Sequence, residues 1–231
     1  MVSEDDPLSR LARTAVDEIR PGMRLGLGTG STAEAVIREL GRRVAAGLSI
    51  VGVATSRRSA QLAGELGIPL TTLDEAGRLD LGIDGADEID PRLDCVKGQG
   101  GALLHEKLVA LACDDYLLVA AAEKMVPQLG TRSPLAIEIV PFGWRHTSDR
   151  LASLGLVPQR REVGDGSSRP YISDSGGFIL DCAPSPIADP ATLAARIKGI
   201  TGVVDHGLFL EIARRAFIAD GAGSVRVFSR S

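Results

Sequence analysis

Short apolar runs alternate with amphipathic segments as far as Ala121, and this alternation constrains the fold more than any other feature of the sequence. The amphipathic segments repeat apolar residues at the spacing of helices, whereas the runs have the length of strands. Strands that alternate with helices form a parallel sheet covered on both faces, which predicts a Rossmann-like α/β domain. The predicted strands are Arg24–Leu27, Ser49–Ala54, Ile68–Leu73, Leu79–Ile83 and Asp115–Ala121.

The pattern of predicted elements changes after Lys124, where strands and helices no longer alternate regularly. This part predicts a smaller α+β domain at residues 131–205, whereas residues 1–130 and 206–231 form the first domain. One helix of the smaller domain starts at Asp189-Pro190, a cap residue followed by proline at the first helical position. The strands predicted to rejoin the first sheet are Gly207–Ile212, Phe217–Ala219 and Ser224–Phe228.

The charge and cysteine content narrow the possible partners and compartments. The net charge of −4 and the pI near 5.5 argue against general nucleic-acid binding, which favours basic patches. No apolar run reaches the length of a membrane span, and residues 1–6 lack the basic and apolar parts of a secretory signal. The three cysteines form no C-x-x-C motif, which fits a reducing compartment. We therefore expect a cytoplasmic protein that binds neither nucleic acid nor membrane.

A glycine-rich turn, Gly26-Leu-Gly28-Thr-Gly30-Ser31-Thr32, joins the first predicted strand to a helix. Free N–H groups at such a helix start can hold an anion, and the hydroxyl groups of the turn add donors. The dinucleotide fingerprint requires a third glycine where Ser31 stands, and a P-loop requires a lysine before its Ser/Thr. Two interpretations remain open, a compact phosphate site and a tight turn whose hydroxyl groups only cap the helix.

Four carboxylates follow the predicted strand Leu79–Ile83, at the end of a strand where ligands collect in open α/β folds. They belong to the segment Asp84-Gly-Ala-Asp87-Glu88-Ile-Asp90. Clustered carboxylates can hold Mg²⁺, but the nearby Lys97 counts against a metal site. We therefore expect no metal ion here.

A helix that starts near Ala102 carries three consecutive polar residues, His105, Glu106 and Lys107, in an otherwise apolar sequence. Three neighbours span about 200° of a helix surface, so they cannot all share one solvated face. At least one of them points into an enclosed place, and Glu106 is our candidate. A partly enclosed carboxylate suits a general base. The alternative interpretation is an ion-paired glutamate between two helices.

The sequences of these segments resemble those of the type A ribose-5-phosphate isomerases. The similar segments occur in the family's order and extend over nearly the whole chain. This resemblance implies a Rossmann-like domain with a ferredoxin-like α+β domain, and no cofactor. The segments that carry it are Gly28-Thr-Gly-Ser-Thr32, Asp84-Gly-Ala-Asp-Glu-Ile, Lys97-Gly-Gln-Gly-Gly-Ala-Leu-Leu-His-Glu-Lys107, Ala121-Ala-Glu-Lys124, Glu138-Ile-Val-Pro and Gly202-Val-Val-Asp-His-Gly-Leu-Phe209.

The resemblance also implies an activity, the interconversion of ribose 5-phosphate and ribulose 5-phosphate in the pentose phosphate pathway. Glu106 matches the family's base, and Lys97 matches the lysine that stabilises negative charge on the substrate. The paired carboxylates correspond to Asp84 and Asp87. The implied substrate-binding residues are Thr29, Gly30, Ser31, Thr32, Asp84, Gly85, Ala86, Asp87, Lys97, Gly98, Gln99, Gly100 and Lys124. Gln99 stands where some members carry glycine, which leaves the backbone angles of this position open.

Two other functions compete with the isomerase. A sugar-phosphate sensor on the same fold would normally lack the base, which is present here as Glu106. An NADP-dependent oxidoreductase would use the glycine-rich turn and the pair Arg57-Arg58, although these arginines also suit a solvated helix start. The expected partner is a small sugar phosphate, and the resemblance implies a homodimer or homotetramer.

Overall fold

A computed structural model describes residues 6–230 of the chain. Most of the segment used in the argument about a secretory signal, residues 1–5, lies outside the described residues. Within residues 6–230, no helix combines the length and the apolar character needed to cross a membrane. The helices are α1 (Pro7–Val16), α2 (Ser31–Ala45), α3 (Arg57–Glu65), α4 (Leu73–Ala76), α5 (Leu103–Ala112), α6 (Trp144–Ala152) and α7 (Pro190–Lys198). The strands are β1 (Arg24–Leu27), β2 (Val51–Ala54), β3 (Leu79–Asp84), β4 (Glu88–Ile89), β5 (Cys95–Val96), β6 (Cys113–Ala121), β7 (Leu135–Ile139), β8 (Pro158–Arg160), β9 (Phe178–Cys182), β10 (Val203–His206), β11 (Leu208–Phe209), β12 (Arg215–Ala219) and β13 (Val225–Ser229).

The described residues form two compact units, of which the first contains residues 6–86, 105–125 and 211–230. Its six strands, counted over the described part of the chain, lie in the order β13-β12-β6-β3-β1-β2. All neighbours are parallel except β12 and β13, which pair antiparallel. The predicted α/β domain is confirmed, and its last two strands rejoin the first sheet as expected.

Helices α1 and α2 cover one face of this sheet because each presents an apolar stripe to it. In α1 the buried residues are Leu11, Ala12, Ala15 and Val16, the spacing that the sequence predicts for an amphipathic helix. They belong to the same buried cluster as Leu25 and Leu27 of β1 and Leu81 and Ile83 of β3. Each fully buried leucine of this kind stabilises the fold by about 1.5–3 kcal/mol.

Helix α5 lies against the other face, where two strand positions carry glycine. A Cβ atom on Gly26 would lie 2.6 Å from Cγ1 of Val109, and a Cβ atom on Gly82 would lie 2.7 Å from Sγ of Cys113. A side chain on Gly26 would push α5 away from the sheet, and one on Gly82 would clash with the first residue of β6, the strand that follows α5 directly. Gly26 therefore lets the helix that carries Glu106 lie close to the sheet, and Gly82 makes room for the strand that follows this helix.

One predicted strand of the first unit does not form. In place of Ile68–Leu73, the structure has a single bridge between Gly52 and Leu70, and α4 begins at Leu73. Pro69 has no N–H group, so it cannot donate to a neighbouring strand. Just beyond it, Thr72 caps α4 together with Glu75 in a capping box, which starts a helix where the strand was expected.

The second unit contains residues 87–104 and 126–210. In this part of the described chain, four antiparallel strands lie in the order β10-β7-β9-β8. With α6 and α7 the element order is β-α-β-β-α-β, the ferredoxin-like arrangement implied by the family resemblance. Asp189 caps α7 and Pro190 is its first residue, as the sequence predicts. The predicted α+β domain is confirmed.

A small sheet in the second unit corrects a further prediction. Gly207–Ile212 was expected to rejoin the first sheet, but β11 pairs antiparallel with β5, and β5 pairs with β4. Residues 87–104 are thus tied to residues 206–210 by strand pairing. For this reason the compact units differ from the predicted ranges of 1–130 plus 206–231 and 131–205, and residues 87–104 lie in the second unit.

Candidate functional site

The first unit brings several predicted site residues to one edge of its sheet. The chain runs from β1 to β2 on one side and then to β3 on the other, so the strand order reverses between β1 and β3. Ligands of open α/β folds bind at such a reversal, beyond the carboxyl ends of the strands. The Thr29 N–H group donates to Oδ1 of Asp84 across this point, with a distance of 3.1 Å.

Asp84, the last residue of β3, is held by donors from its own unit. Besides Thr29, the N–H group of Gly85 donates to Oδ1 (2.7 Å) and the hydroxyl group of Tyr116 donates to Oδ2 (3.1 Å). The aspartate is only 1% exposed. A Cβ atom on Gly28 would lie 2.2 Å from its Oδ1, so the turn after β1 requires glycine there. These contacts fix the direction of the carboxylate.

The turn after β1 has the backbone geometry of an anion site. Gly30 is the cap residue of α2, with φ 106° and ψ 172°, and as a glycine it offers no side chain to the first N–H groups of this helix. The first N–H groups of a helix point outward, and the positive end of the helix dipole favours an anion. Ser31 is exposed and Thr32 is partly exposed at this end. Both open interpretations of the sequence placed a helix start here, and the structure confirms the helix start.

The Thr29 hydroxyl group belongs to a network that the sequence analysis missed. Its Oγ1 atom lies 2.7 Å from Oγ1 of Thr55 and 2.8 Å from Oγ of Ser56. Ser59 donates to the carbonyl oxygen of Gly28 (2.7 Å) and so ties α3 to the same turn. The three hydroxyl residues within five positions after β2, Thr55, Ser56 and Ser59, were the available signal. The Thr29 side chain therefore stabilises the turn from inside the protein.

The two arginines considered for a 2′-phosphate lie at the exposed start of α3. Arg58 has a side chain that is 76% exposed, and its Nε atom lies 2.5 Å from Oε1 of Glu34. Arg57 is also exposed. Such a pair is typical of a solvated helix start. Lys124, in contrast, ends a 3₁₀ turn directly after β6, the neighbour of β3, and is partly exposed.

The exposure of the three consecutive polar residues of α5 shows which of them is enclosed. Glu106 is 3% exposed, whereas His105 and Lys107 are both partly exposed. The prediction that at least one of the three points into an enclosed place is confirmed. Two apolar residues of the same helix lie on the outside, since Leu108 is 50% and Leu111 is 62% exposed.

In the second unit, two of the clustered carboxylates act as structural anchors. Glu88 is 1% exposed and accepts hydrogen bonds from the N–H groups of a loop, Gly130 (2.6 Å), Arg132 (2.5 Å) and Ser133 (2.6 Å). Asp90 accepts N–H bonds that close the turn over residues 90–94. A carboxylate occupied by backbone donors offers fewer lone pairs to a cation. In the part of the chain that the structure describes, no three His, Cys, Asp or Glu residues are grouped as for a metal ion.

Asp87 is linked to the glycine loop, which we define as residues 97–101. The N–H group of Gln99 donates to Oδ2 of Asp87 (3.1 Å), and the N–H group of Asp87 donates to the carbonyl oxygen of Val96 (2.8 Å). Gly98 has φ 116°, and a Cβ atom there would lie 2.8 Å from Cβ of Ala136, so this position requires glycine. Gln99 is not among the described non-glycine residues with positive φ. The question raised by its side chain is thereby answered, because this position does not require the positive φ that favours glycine.

Lys97 is 3% exposed, an unusual environment for an ammonium group. Its N–H group donates to the carbonyl oxygen of Gly207 (2.8 Å), and its Nζ atom lies 5.7 Å from the centre of the Phe209 ring. A cation over an aromatic face is stabilised by the ring quadrupole. A Cβ atom on Gly207 would lie 2.0 Å from the Lys97 carbonyl oxygen. Gly207 and Phe209 were not singled out, although both belong to the last segment of the family resemblance.

The predicted site residues are distributed over the two units. The first unit contains Thr29, Gly30, Ser31, Thr32, Asp84, Gly85, Ala86, Glu106 and Lys124, and the second contains Asp87, Lys97, Gly98, Gln99 and Gly100. The first group includes the buried Asp84, whose carboxylate accepts backbone N–H groups, and the second includes the buried Lys97. The fold and these polar residues define the class to which the chain belongs, two-unit α/β proteins with a ligand-binding edge at the reversal of a parallel sheet.

Comparisons with known proteins identify the family. The sequence profile of ribose 5-phosphate isomerase A (phosphoriboisomerase A) matches residues 51–223. The chain is 46% identical to ribose-5-phosphate isomerase A of Parvibaculum lavamentivorans over 227 residues, which cover 96% of this chain and 98% of that protein. It is 50% identical to that of Roseiflexus castenholzii, with 94% and 93% covered. A solved D-ribose-5-phosphate isomerase in complex with phospho-erythronic acid superimposes with a TM-score of 0.92 at 32% identity, covering 97% of this chain and 98% of that one.

The chain therefore belongs to the ribose 5-phosphate isomerase A family, as the resemblance implied. It is an aldose–ketose isomerase with the α/β two-domain fold of the family. The competing functions, a sugar-phosphate sensor and an NADP-dependent oxidoreductase, are not favoured.

Proposed function

We propose that this chain interconverts D-ribose 5-phosphate and D-ribulose 5-phosphate by proton transfer through an enediolate, with Glu106 as the base. Its membership of the ribose 5-phosphate isomerase A family supports the reaction. The single structural observation that carries the proposal is the burial of Glu106, which is 3% exposed while its polar neighbours on the same helix, His105 and Lys107, are partly exposed. A carboxylate held in an enclosed place can act as a general base that takes a proton from a carbon next to a carbonyl group.

The reaction requires one proton to move between neighbouring carbons. The Glu106 carboxylate removes the proton from C2 of the open-chain aldose, and the electron pair of that C–H bond forms the C1–C2 double bond. The negative charge develops on the carbonyl oxygen at C1. Glu106, now protonated, returns the proton to C1, while the hydroxyl proton moves from O2 to O1 and leaves a carbonyl group at C2. No electron acceptor is consumed, because C1 is reduced as C2 is oxidised.

The remaining predicted residues have roles that follow from their charge. The ammonium group of Lys97 stabilises the negative charge of the enediolate, an effect that is strong in a buried place. Asp84 and Asp87 bind substrate hydroxyl groups and assist the proton transfer between O2 and O1. The phosphate binds to the N-terminus of α2, at residues 29–32, and to Lys124.

The ligand of a solved relative supports this chemistry. That isomerase was solved in complex with phospho-erythronic acid, a phosphorylated sugar acid. Its carboxylate is planar and negatively charged, as an enediolate is. Molecules that resemble a reaction intermediate bind more tightly than the substrate does. We expect this chain to bind the same compound, with Lys97 near the carboxylate.

We also propose that the protein works as a homodimer or homotetramer in the cytoplasm, within the pentose phosphate pathway. Exposed Leu108 and Leu111 on α5 support assembly, because apolar residues grouped on a surface often mark an interface. The cysteines Cys95, Cys113 and Cys182 are free, which fits a reducing compartment. Light scattering coupled to gel filtration measures the assembly, and a monomeric mass would contradict it.

The activity test compares wild type, Glu106→Gln and His105→Gln, the last being a control on the same helix. Conversion of ribose 5-phosphate is measured with EDTA present and without nucleotide. We expect Glu106→Gln to lower kcat by at least about a hundredfold, since general base catalysis contributes that much, while His105→Gln stays within about threefold of wild type. In D₂O, deuterium should appear at the reacting carbon, because a carboxyl proton exchanges with solvent.

Two outcomes would contradict the proposal in different ways. A wild-type protein that binds the sugar phosphate without converting it would be a sensor. Equal activity of wild type and Glu106→Gln, with both proteins folded, would mean that another residue is the base.

A further inference from the structure

Arg161 directly follows β8, and its side chain donates four hydrogen bonds within the second unit. Its Nη1 atom donates to the carbonyl oxygens of Gly98 (2.9 Å) and Gln99 (3.1 Å). On the other side, its Nε and Nη2 atoms donate to the two carboxylate oxygens of Asp181, at 2.8 Å and 2.5 Å. A bidentate pair of this kind fixes the plane of the guanidinium group. The side chain of Arg161 is 15% exposed, so the pair is shielded from most of the solvent.

The carbonyl group of Gly98 and the N–H group of Gln99 belong to one peptide plane. A peptide group is rigid, so a partner that holds its carbonyl end also sets the direction of its N–H end. That N–H group donates to Oδ2 of Asp87. A continuous chain of hydrogen bonds therefore runs from Asp181 through Arg161 and this peptide to Asp87. Hydrogen bonds in such a chain polarise one another, which strengthens the donor at its end.

The glycine loop requires an external support of this kind. Gly98, Gly100 and Gly101 have no side chains with which to anchor the loop, and Gly98 and Gly101 adopt positive φ. Glycine allows many backbone conformations, so the loop alone does not define the orientation of the 98–99 peptide. The two Arg161 bonds to consecutive carbonyl oxygens restrict it to one.

We propose that Arg161, held by Asp181, is a positioning residue for the isomerase reaction. It orients the peptide that presents an N–H group to Asp87, and it holds the loop that begins at Lys97. Arg161 itself does not touch the substrate. The inference rests on the roles proposed above for Asp87 and Lys97.

The neighbouring Arg160 provides a matched control. It belongs to the end of the same strand, but its guanidinium group lies 5.0 Å from the centre of the Trp144 ring and donates to the carbonyl oxygen of Ser168 (3.1 Å). Consecutive strand residues point to opposite faces, so its removal leaves the glycine loop untouched. Replacing Arg160 therefore removes a guanidinium group from the same strand end without removing the contact to the peptide between Gly98 and Gln99.

The experiment compares Arg161→Ala, Arg161→Lys, Asp181→Asn and Arg160→Ala in the full-length protein. We expect Arg161→Ala to lower kcat/KM by about 10- to 100-fold, since a small misplacement of catalytic groups has effects of this size. Arg161→Lys should recover part of the loss, and guanidinium chloride at low millimolar concentration should partly restore Arg161→Ala without raising its Tm. Arg160→Ala should stay within about threefold of wild type.

A spectroscopic measurement separates positioning from general stability. In NMR spectra, the Gln99 amide proton should move upfield in Arg161→Ala, because the donor is no longer polarised, and should stay in place in Arg160→Ala. An unchanged Gln99 resonance would overturn the inference. So would a kcat/KM of Arg161→Ala that matches that of Arg160→Ala.

The proposed roles of the site are tested separately with Lys97→Gln and Asp87→Asn. Activity close to wild type in both of these variants would refute those roles, and the inference about Arg161 with them. Strong loss in both, combined with full activity of Arg161→Ala, would refute the inference about Arg161 alone.

Discussion

Replacing Glu88 by glutamine should destabilise the protein strongly, although the change alters only one atom. The Oε1 atom accepts the N–H groups of Arg132 and Ser133, and Oε2 accepts that of Gly130. A glutamine retains one acceptor oxygen for the first two bonds, but its NH₂ group then faces the Gly130 donor. The substitution thus removes one bond outright and turns two bonds to a carboxylate into bonds to a neutral amide.

The expected loss in the free energy of unfolding follows from these three hydrogen bonds. A buried N–H group without an acceptor costs about 1–3 kcal/mol, and each bond to a neutral rather than a charged acceptor is weaker by about 1 kcal/mol. We therefore expect Glu88→Gln to lower the free energy of unfolding by about 4 kcal/mol. For a chain of this length, that corresponds to a fall in Tm of about 8–16 °C. Urea unfolding followed by circular dichroism measures the free energy, and calorimetry measures Tm.

Glu162→Gln is the control for this prediction, because the Glu162 side chain is 46% exposed and lies 3.7 Å from Arg160. An exposed pair of this kind contributes little, so the free energy of unfolding should change by less than about 0.5 kcal/mol. A loss below about 1 kcal/mol for Glu88→Gln would refute the anchoring role of this carboxylate. Metal binding would be the next role to test, since Glu88 was one of the residues considered for Mg²⁺.

Two further predictions follow from glycine and cysteine positions. Gly28→Ala should lower kcat/KM by about a hundredfold in the isomerase assay, because the new Cβ atom displaces the Asp84 carboxylate; Gly64→Ala, with no atom within 4 Å of its Cβ position, should leave activity unchanged. Burial, with a smaller contribution from Asp181, raises the pKa of the Cys182 thiol from 9.0 to about 12. The folded protein should therefore resist iodoacetamide at pH 8, as mass spectrometry would show, and its stability should fall as pH rises from 9 towards 12, since the folded state retains the proton that the unfolded state loses. Rapid labelling of the folded protein would contradict the second prediction.

The alternation of strands and helices was predictable because burial imposes a period on the sequence. The run Leu79–Ile83 became β3, which extends one residue further to Asp84. The identity of the strand with which a segment pairs leaves no comparable period in the sequence. The apolar segment at Leu208–Phe209 pairs with β5 in the second unit, and nothing in its own residues distinguishes β5 from an edge of the first sheet. The strand predicted at Ile68–Leu73 did not form for a different reason. The capping box that starts α4 competes with extended structure over the same residues.

For the candidate site too, the sequence predicted some features and not others. The sequence identified the segment that contains Asp84, Asp87, Glu88 and Asp90, because carboxylates near glycine after a strand are uncommon in a core. It could not distinguish a carboxylate that faces backbone N–H groups, as Glu88 does, from one that faces a ligand. That difference depends on a loop more than forty residues away in sequence, near Ser133. The contact between Tyr116 and Asp84 was hidden for the same reason.

The order of the strands has a consequence for how the protein is made. β6 pairs with β12, but the whole of residues 126–210 is synthesised between them. While the ribosome is still producing that segment, β6 has an unpaired edge, and its apolar residues 117–120 are at most 1% exposed in the finished fold. Unpaired apolar edges promote aggregation of partly folded chains. We expect the nascent chain to depend on chaperones until Ala219 has emerged, whereas the finished protein closes that edge with β12 and β13.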